Sequence, residues 1–240
     1  MHLTLPPLHR AALLLDLDGT LLDLAPRPDA VVVPADLPEV LRSLRGLLDD
    51  AVAVVTGRPI ETVDALLGDA VFAVAGEHGG AIRHGPGLTV ERAPLPSPPG
   101  EWLVEAEGLA LRFPGALLEH KARGFALHYR AVPSAAEPLR RALTEMLRDS
   151  GDFELLPAHM LWEVRPRGAD KGKAVATLMD RAPFRDRLPV FVGDDFTDEA
   201  GIAAAQAMGG EGLRVQEAFG DPAGVRAWLA SIAAAGGWPS

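Results

Sequence analysis

The most constraining feature of this chain is a junction that recurs: a short apolar run that ends in clustered polar residues. Residues 11–18 read AALLLDLD and pass straight into Gly19 and Thr20, residues 51–58 read AVAVVTGR, residues 71–79 read VFAVAGEHG, and residues 188–195 read LPVFVGDD. Each run has the length of a buried strand. The segments after the first two have helix spacing, with Leu37, Val40, Leu41, Leu44, Leu47 and Leu48 after one and PIETVDALLG after the other. Strand–helix alternation builds parallel βαβ units, so the expected class is α/β with a doubly wound parallel sheet. Ligands of such sheets collect beyond the carboxyl ends of the strands, which is where the polar clusters fall.

The alternation is interrupted. Residues 83–101, RHGPGLTVERAPLPSPPGE, are rich in Pro and Gly and read as a hairpin and linker. A helix, two strands, a second helix and two more strands come next, an αββαββ order that suits a small α+β module with helices on one face of an antiparallel sheet. The expected division is a core of residues 1–96 and 168–240 with an inserted cap at 97–167. The core pattern then resumes: a helix from about Lys171, the strand ending in Asp194 and Asp195, a helix from about Thr197, a strand near GLRVQ and a last helix across PAGVRAWLASI.

Period-two alternation sorts the cap strands into faces. Phe125, Leu127 and Tyr129 share one face, and Ala126, His128 and Arg130 the other. Met160, Trp162 and Val164 face inward, opposite Leu161, Glu163 and Arg165, while Leu117, Glu119 and Lys121 share a face. One side of this sheet therefore carries acids and bases. Such a face suits a polyhydroxylated sugar, and it also suits plain solvent exposure.

The totals exclude several classes. A net charge of −10 over 240 residues speaks against nucleic acid or an anionic membrane as partner. With no cysteine there is no disulfide, thiolate metal site or Cys nucleophile. The opening MHLTLPPLHR lacks a charged segment followed by a long apolar one, so no leader is expected, and no apolar run is long enough to span a bilayer. The expectation is a cytoplasmic monomer acting on a small molecule. Of 23 basic residues only three are lysines: Lys121, Lys171 and Lys173. A retained lysine can answer a need for a compact ammonium, although genomic base composition yields the same bias.

At the strand ends, Asp16 and Asp18 meet a second cluster of Asp194, Asp195 and Asp198. Carboxylates gathered at one sheet edge repel unless a divalent cation is present, and Mg²⁺ suits an oxygen donor set that also receives a phosphate. Thr56 and the amides around it can bind a phosphate oxygen, and Lys171 at a helix start favours an anion. Taken singly, each motif has a plainer reading as an Asx turn, a helix cap or a solvated lysine. Together, at four junctions of one sheet, they point to phosphate chemistry.

In this order DLDGT, TGR, a Lys-Gly at a helix start and GDD resemble the haloacid dehalogenase-like phosphatases, which implies a Rossmann-like core with a C2-type cap. AGEHG (75–79), EHKARGFALHYR (119–130), WEVRPRGADKGKA (162–174) and FVGDDFTDE (191–199) are similar to the trehalose-6-phosphate phosphatases. The resemblance implies Asp16 as nucleophile, Asp18 as general acid and base, and Thr56 and Lys171 as stabilisers of the phosphoryl oxygens. It implies Mg²⁺ held by Asp16, the Asp18 carbonyl and Asp194. Glu119, Lys121 and Glu163 are implied as sugar contacts. Arg58 and Arg130 are candidates to reach phosphate or sugar, and Glu77 and His78 to shape the site or touch substrate. Gly57, Asp195 and Asp198 are candidates for supporting roles, with helix N-capping an equal reading for both acids. Two departures stand out: no aromatic residue near Ile202, and a short segment before the last helix. Other capped sugar phosphatases, acting on sucrose 6-phosphate or a glucosyl- or mannosyl-3-phosphoglycerate, share the core motifs and remain an alternative. A non-catalytic sugar-phosphate sensor would be expected to have lost one of the key carboxylates.

Overall fold

The computed structural model describes residues 5–25 and 30–238. The first four residues, on which the leader expectation partly rests, lie outside the described residues. In chain order the elements are β1 (Ala11–Leu15), α1 (Leu37–Leu47), β2 (Val52–Val55), α2 (Ile60–Leu67), β3 (Ala73–Gly76), β4 (Ala81–Arg83), β5 (Glu91–Arg92), α3 (Gly100–Arg112), β6 (Leu117–Lys121), β7 (Gly124–His128), α4 (Ala136–Met146), β8 (Phe153–Ala158), β9 (Leu161–Pro166), α5 (Lys171–Met179), β10 (Leu188–Gly193), α6 (Glu199–Ala207), β11 (Glu211–Arg214), α7 (Val215–Ala218) and α8 (Pro222–Ala235). They form two compact units, residues 1–93 with 170–240 and residues 94–169.

The first unit is built on a seven-stranded sheet in the order β11-β10-β1-β2-β3-β4-β5. The β10, β1, β2, β3 and β11 pairings are parallel, whereas β4 and β5 run antiparallel at the edge. The chain runs from β1 outward to β3 and later returns to β10 on the other side of β1. That reversal between β1 and β10 leaves a crevice at their carboxyl ends. All five residues of β1 are fully buried, and each leucine among them contributes about 1.5–3 kcal/mol. Leu14→Asp would put a charge in the middle of that layer. On α1, Leu37, Leu41 and Leu44 form the buried stripe, and Pro38 sits in the first turn where its missing amide costs nothing. No helix among the described residues is long and apolar enough to cross a membrane.

Where an aromatic residue near Ile202 is expected, the space is already taken. Gly201 lies against the Phe191 ring of β10, and Ile202 is itself buried beside Gly212 of β11. The short stretch before α8 is closed by the one-turn α7, with Phe219 packed on Trp228 at 5.0 Å.

The second unit is a four-stranded antiparallel sheet, β6-β7-β9-β8. Phe125, Leu127, Val164 and Phe153 pack with Ala106 and Leu109 of α3 and with Leu139 and Leu143 of α4. Trp102 meets Phe153 edge-on at 5.3 Å, and Trp162 donates its indole N–H to the Ala136 carbonyl at 2.8 Å. Tyr129 and Trp162 thus serve this core, as the alternation indicates. The register sets Glu119 opposite Ala126, and Ala126 opposite Glu163. β7 ends at His128, so Arg130 lies in the following turn and the alternation that assigns it to a sheet face does not extend that far.

Candidate active site

Four loops of the first unit carry the site. Asp16 leaves β1 with its amide bonded to the Val192 carbonyl of β10 at 2.9 Å, which ties it to the strand bearing the second acid cluster. The chain then turns through Gly19, whose φ of +83° suits glycine and whose missing Cβ makes room for the Asp194 carboxylate; a methyl there would lie 2.2 Å from Asp194 Oδ2. Thr20 is fully buried and its hydroxyl donates to Asp194 Oδ1 at 3.3 Å. Sequence reasoning misses this residue, although a polar side chain inside DLDGT is a signal that could have found it.

Lys171 is the hub. It is 3% exposed, and its Nζ donates to Asp16 Oδ1 and to Asp198 Oδ1, each at 2.6 Å. Burial would lower its pKa, but the carboxylates of Asp16, Asp198 and Asp195 outweigh that and raise it well above the ordinary value, so it stays an ammonium. The lysine is therefore held between two acids and is not mobile. Asp198 also accepts the amides of Asp194 and Asp195 on Oδ2, at 3.0 and 3.1 Å. Both its oxygens are engaged in fixing the loop and the lysine. Asp195 caps the turn by accepting the Thr197 amide at 2.8 Å and its hydroxyl at 2.7 Å. Of the two readings open for these acids, Asp195 takes the N-cap and Asp198 closes the reciprocal half of the same capping box.

Carboxylate oxygens of Asp16, Asp194 and Asp198 lie within 4.8 Å of one another. Burial and the neighbouring acids push Asp194 up to about 6. Burial, then Asp198, pushes Asp16 up as well, against the pull of Lys171. One ammonium does not neutralise this cluster. The donors are hard oxygens, so the set fits a hard divalent cation and not a thiophilic one. With Asp198 committed elsewhere, Asp16 and Asp194 are the side chains suited to hold it.

Asp18 has a different environment. Arg58 grips it with two parallel bonds, Nε to Oδ2 at 2.6 Å and Nη2 to Oδ1 at 2.7 Å. Both side chains are less than a third exposed, so this pair is not a loose surface contact. Thr56 is buried, and its Oγ1 accepts the Arg58 amide at 3.1 Å, which leaves the hydroxyl proton available to an incoming oxygen. Gly57 lies against the buried His78 ring, where a Cβ would be 2.5 Å from Nε2. Burial raises the Asp195 pKa, but Lys171 and then the Thr197 hydrogen bonds outweigh it, and the net direction is down. Glu77 Oε1 accepts from Arg92 Nη1 at 2.7 Å, so its carboxylate shapes the loop.

In the second unit the expected sugar contacts fall on one sheet face. Lys121 Nζ donates to Glu163 Oε1 at 2.8 Å, and Glu119 Oε2 lies 2.7 Å from His128 Nε2. Burial raises the Glu119 pKa, but His128 and Lys121 outweigh it and the net direction is down. For Lys121 burial is outweighed by Glu163 and Glu119, and the net direction is up. In the sequence His128 shows only that it lacks metal-ligand spacing; that it sits diagonally across the ladder from Glu119 depends on strand register.

The trehalose-phosphatase family model matches residues 14–215. A trehalose-6-phosphate phosphatase of Escherichia coli (strain K12) is 37% identical over 201 residues, which is 83% of this chain and 75% of the relative. A probable trehalose-phosphate phosphatase of Sinorhizobium fredii is 38% identical over 205 residues, covering 85% and 77%. Among solved structures, the C-terminal domain of the C. albicans trehalose-6-phosphate phosphatase superposes with a TM-score of 0.78 at 19% identity over 95% of this chain and 93% of that one, which establishes the fold. A haloacid dehalogenase-like hydrolase from Bacteroides thetaiotaomicron does so at 0.61 and 14% identity, over 93% and 99%. With a haloacid dehalogenase-like core and DLDGT, TGR, DKGK and GDD at its strand and helix ends, the chain belongs to the trehalose-phosphatase family.

Proposed function

We propose that this chain is a Mg²⁺-dependent hydrolase that converts trehalose 6-phosphate to trehalose and phosphate. The observation that carries the reading is the contrast between its two leading aspartates, Asp16 buried on Lys171 and Asp18 gripped by Arg58. One environment suits a nucleophile and the other a group that exchanges protons.

Asp16 attacks phosphorus and forms an aspartyl-phosphate while the sugar oxygen departs. Lys171 holds Asp16 Oδ1, fixing the carboxylate, and its charge favours the phosphoryl group. The Arg58 fork orients Asp18, which acts first as the acid and so enters the step carrying the proton it gives up. It then protonates the leaving oxygen and afterwards takes the proton of the attacking water. Thr56 donates its hydroxyl to a phosphoryl oxygen. Asp16, Asp194 and the Asp18 carbonyl would hold Mg²⁺, which when bound would supply charge neutralisation for the phosphoryl group.

The sheet face bearing Glu119, Lys121, His128 and Glu163 supports a sugar as the other half of the substrate. Carboxylates accept pairs of hydroxyl protons and the ammonium donates, so analogues without those hydroxyls leave buried polar groups unpaired. Arg130, half-buried in the turn after β7, is a further candidate contact.

The test is phosphate release with Mg²⁺ from trehalose 6-phosphate, sucrose 6-phosphate, glucose 6-phosphate and glucosyl-3-phosphoglycerate. Trehalose 6-phosphate is expected to dominate, and Asp16→Asn to reduce turnover at least on the order of 10⁴-fold. Preference for another member would overturn the sugar assignment and leave the core chemistry standing.

A further inference from the structure

The loop after β3 holds a conformation its sequence does not favour. Glu77 and His78 both have φ near +54°, two successive non-glycine residues in the left-handed region. Their amides are used there: Glu77 N–H donates to the Arg58 carbonyl at 3.0 Å and His78 N–H to the Thr56 carbonyl at 2.9 Å. Close packing presses the same two loops together. A Cβ on Gly76 would stand 2.8 Å from the Arg58 carbonyl, and one on Gly57 would strike the His78 ring. The strained step therefore clamps the backbone on both sides of Gly57. A step of this kind persists only where its surroundings over-determine it.

Arg92 supplies that determination from outside the loop. It ends the edge strand β5, anchored by the Ala93 amide on the Gly80 carbonyl at 2.9 Å. Its Nη1 donates to Glu77 Oε1 at 2.7 Å and its Nη2 to Glu61 Oε1, in the first turn of α2, at 3.0 Å. The two legs are unequal. Glu61 is 67% exposed and that contact contributes little, whereas Glu77 is 12% exposed. Without Arg92 the Glu77 carboxylate would be left with neither a cation nor much water, and the least costly response is for the loop to swing outward. Arg92 itself touches none of the candidate catalytic groups.

We infer that Arg92 is a positioning residue for phosphoryl transfer: its pair with Glu77 holds the left-handed Glu77–His78 step, which holds Thr56 and Arg58 in place. The inference rests on the reading of Thr56 and Arg58 as phosphate-facing groups.

The experiment compares R92M, R92K and the double variant R92M/E77G with wild type, measuring kcat and KM on trehalose 6-phosphate and on p-nitrophenyl phosphate, with melting curves alongside. The second substrate has no sugar, so wild-type turnover of it keeps this test independent of the sugar assignment. R92M is expected to lower kcat about tenfold on both substrates, since small misplacements of a phosphate-binding group are costly. R92K keeps the charge but loses the two-pronged fork, and should fall between. In R92M/E77G a glycine adopts the left-handed step unaided, and most of the lost kcat should return. The inference is overturned if R92M keeps kcat within about twofold of wild type while only its melting temperature falls. It is equally overturned if the double variant is no more active than R92M. Should R92M not fold, R92K decides: an unchanged kcat on both substrates overturns the inference, and a drop of about threefold supports it.

Discussion

The charged groups of the two units are held in opposite ways. In the first, Asp16, Asp194, Asp195 and Asp198 gather around one ammonium, Lys171, and the pKa values of Asp16, Asp194 and Asp198 are pushed up. In the second, Glu119 and Glu163 are matched with His128 and Lys121, and Glu119 is pushed down. The first cluster is short of positive charge and its oxygens are close enough to hold a cation. The second is already balanced and has hydrogen-bonding capacity left over, which suits neutral hydroxyls. Under the proposed function, dianion chemistry and polyol recognition call for different electrostatics, and the two units offer one of each.

The largest effect expected from this contrast is at Lys171. K171M leaves several buried carboxylates without their shared partner. It should lower kcat on the order of 10²–10³-fold and destabilise the protein by about 3 kcal/mol at neutral pH, measured by urea unfolding. A variant as stable as wild type would show that the cluster is not short of positive charge.

Next comes pH. The folded-state pKa of Asp194 is raised to about 6 from an ordinary 3.8, so ionising it costs the folded protein stability. Its contribution is fully present below about pH 4 and is lost as pH rises through about 6. A cation reverses that cost but must displace the proton. The rise in melting temperature caused by Mg²⁺, relative to chelator, should therefore grow between pH 5 and 7, with Mg²⁺ affinity about tenfold weaker per unit below pH 6. D194N should flatten that dependence. A Mg²⁺ effect independent of pH would break the picture of a cation-seeking cluster.

The smallest expected effect belongs to the balanced face. E163Q removes the partner of Lys121 and one acceptor for sugar hydroxyls. The ratio of kcat/KM on trehalose 6-phosphate to that on p-nitrophenyl phosphate should fall about tenfold. An unchanged ratio would return that face to the role of a solvated sheet surface.

The legibility of the sequence divides along similar lines. Asp16, Asp18, Thr56 and Asp194 can be found because apolar strands end just before them, and Lys171 because it opens a helix. The strands and helices of both units can be read because their apolar periods are clean. Partnerships across elements cannot be read. That Arg58 closes on Asp18, that Asp198 faces inward while Asp195 caps, and that His128 supports Glu119 depend on loop geometry and strand register. Arg130 lies beyond the end of β7, where the alternation in the sequence no longer assigns a sheet face.

The pairing of β1 with β10 has a consequence for how the protein is made. Ala11 aligns with Leu188, and Lys171 and Asp198 arrive as late as the strand between them. As the chain emerges from the ribosome, the strand leading into Asp16 lacks one neighbour until the whole intervening unit has been synthesised. That unit, residues 94–169, is contiguous and can close on its own contacts first. The sheet of the first unit is thus completed after the second unit, by long-range pairing that is inherently slow. Until then Asp16 belongs to a half-formed edge. A chain that stops short of residue 198 would carry all of residues 94–169 and no Lys171–Asp198 contact.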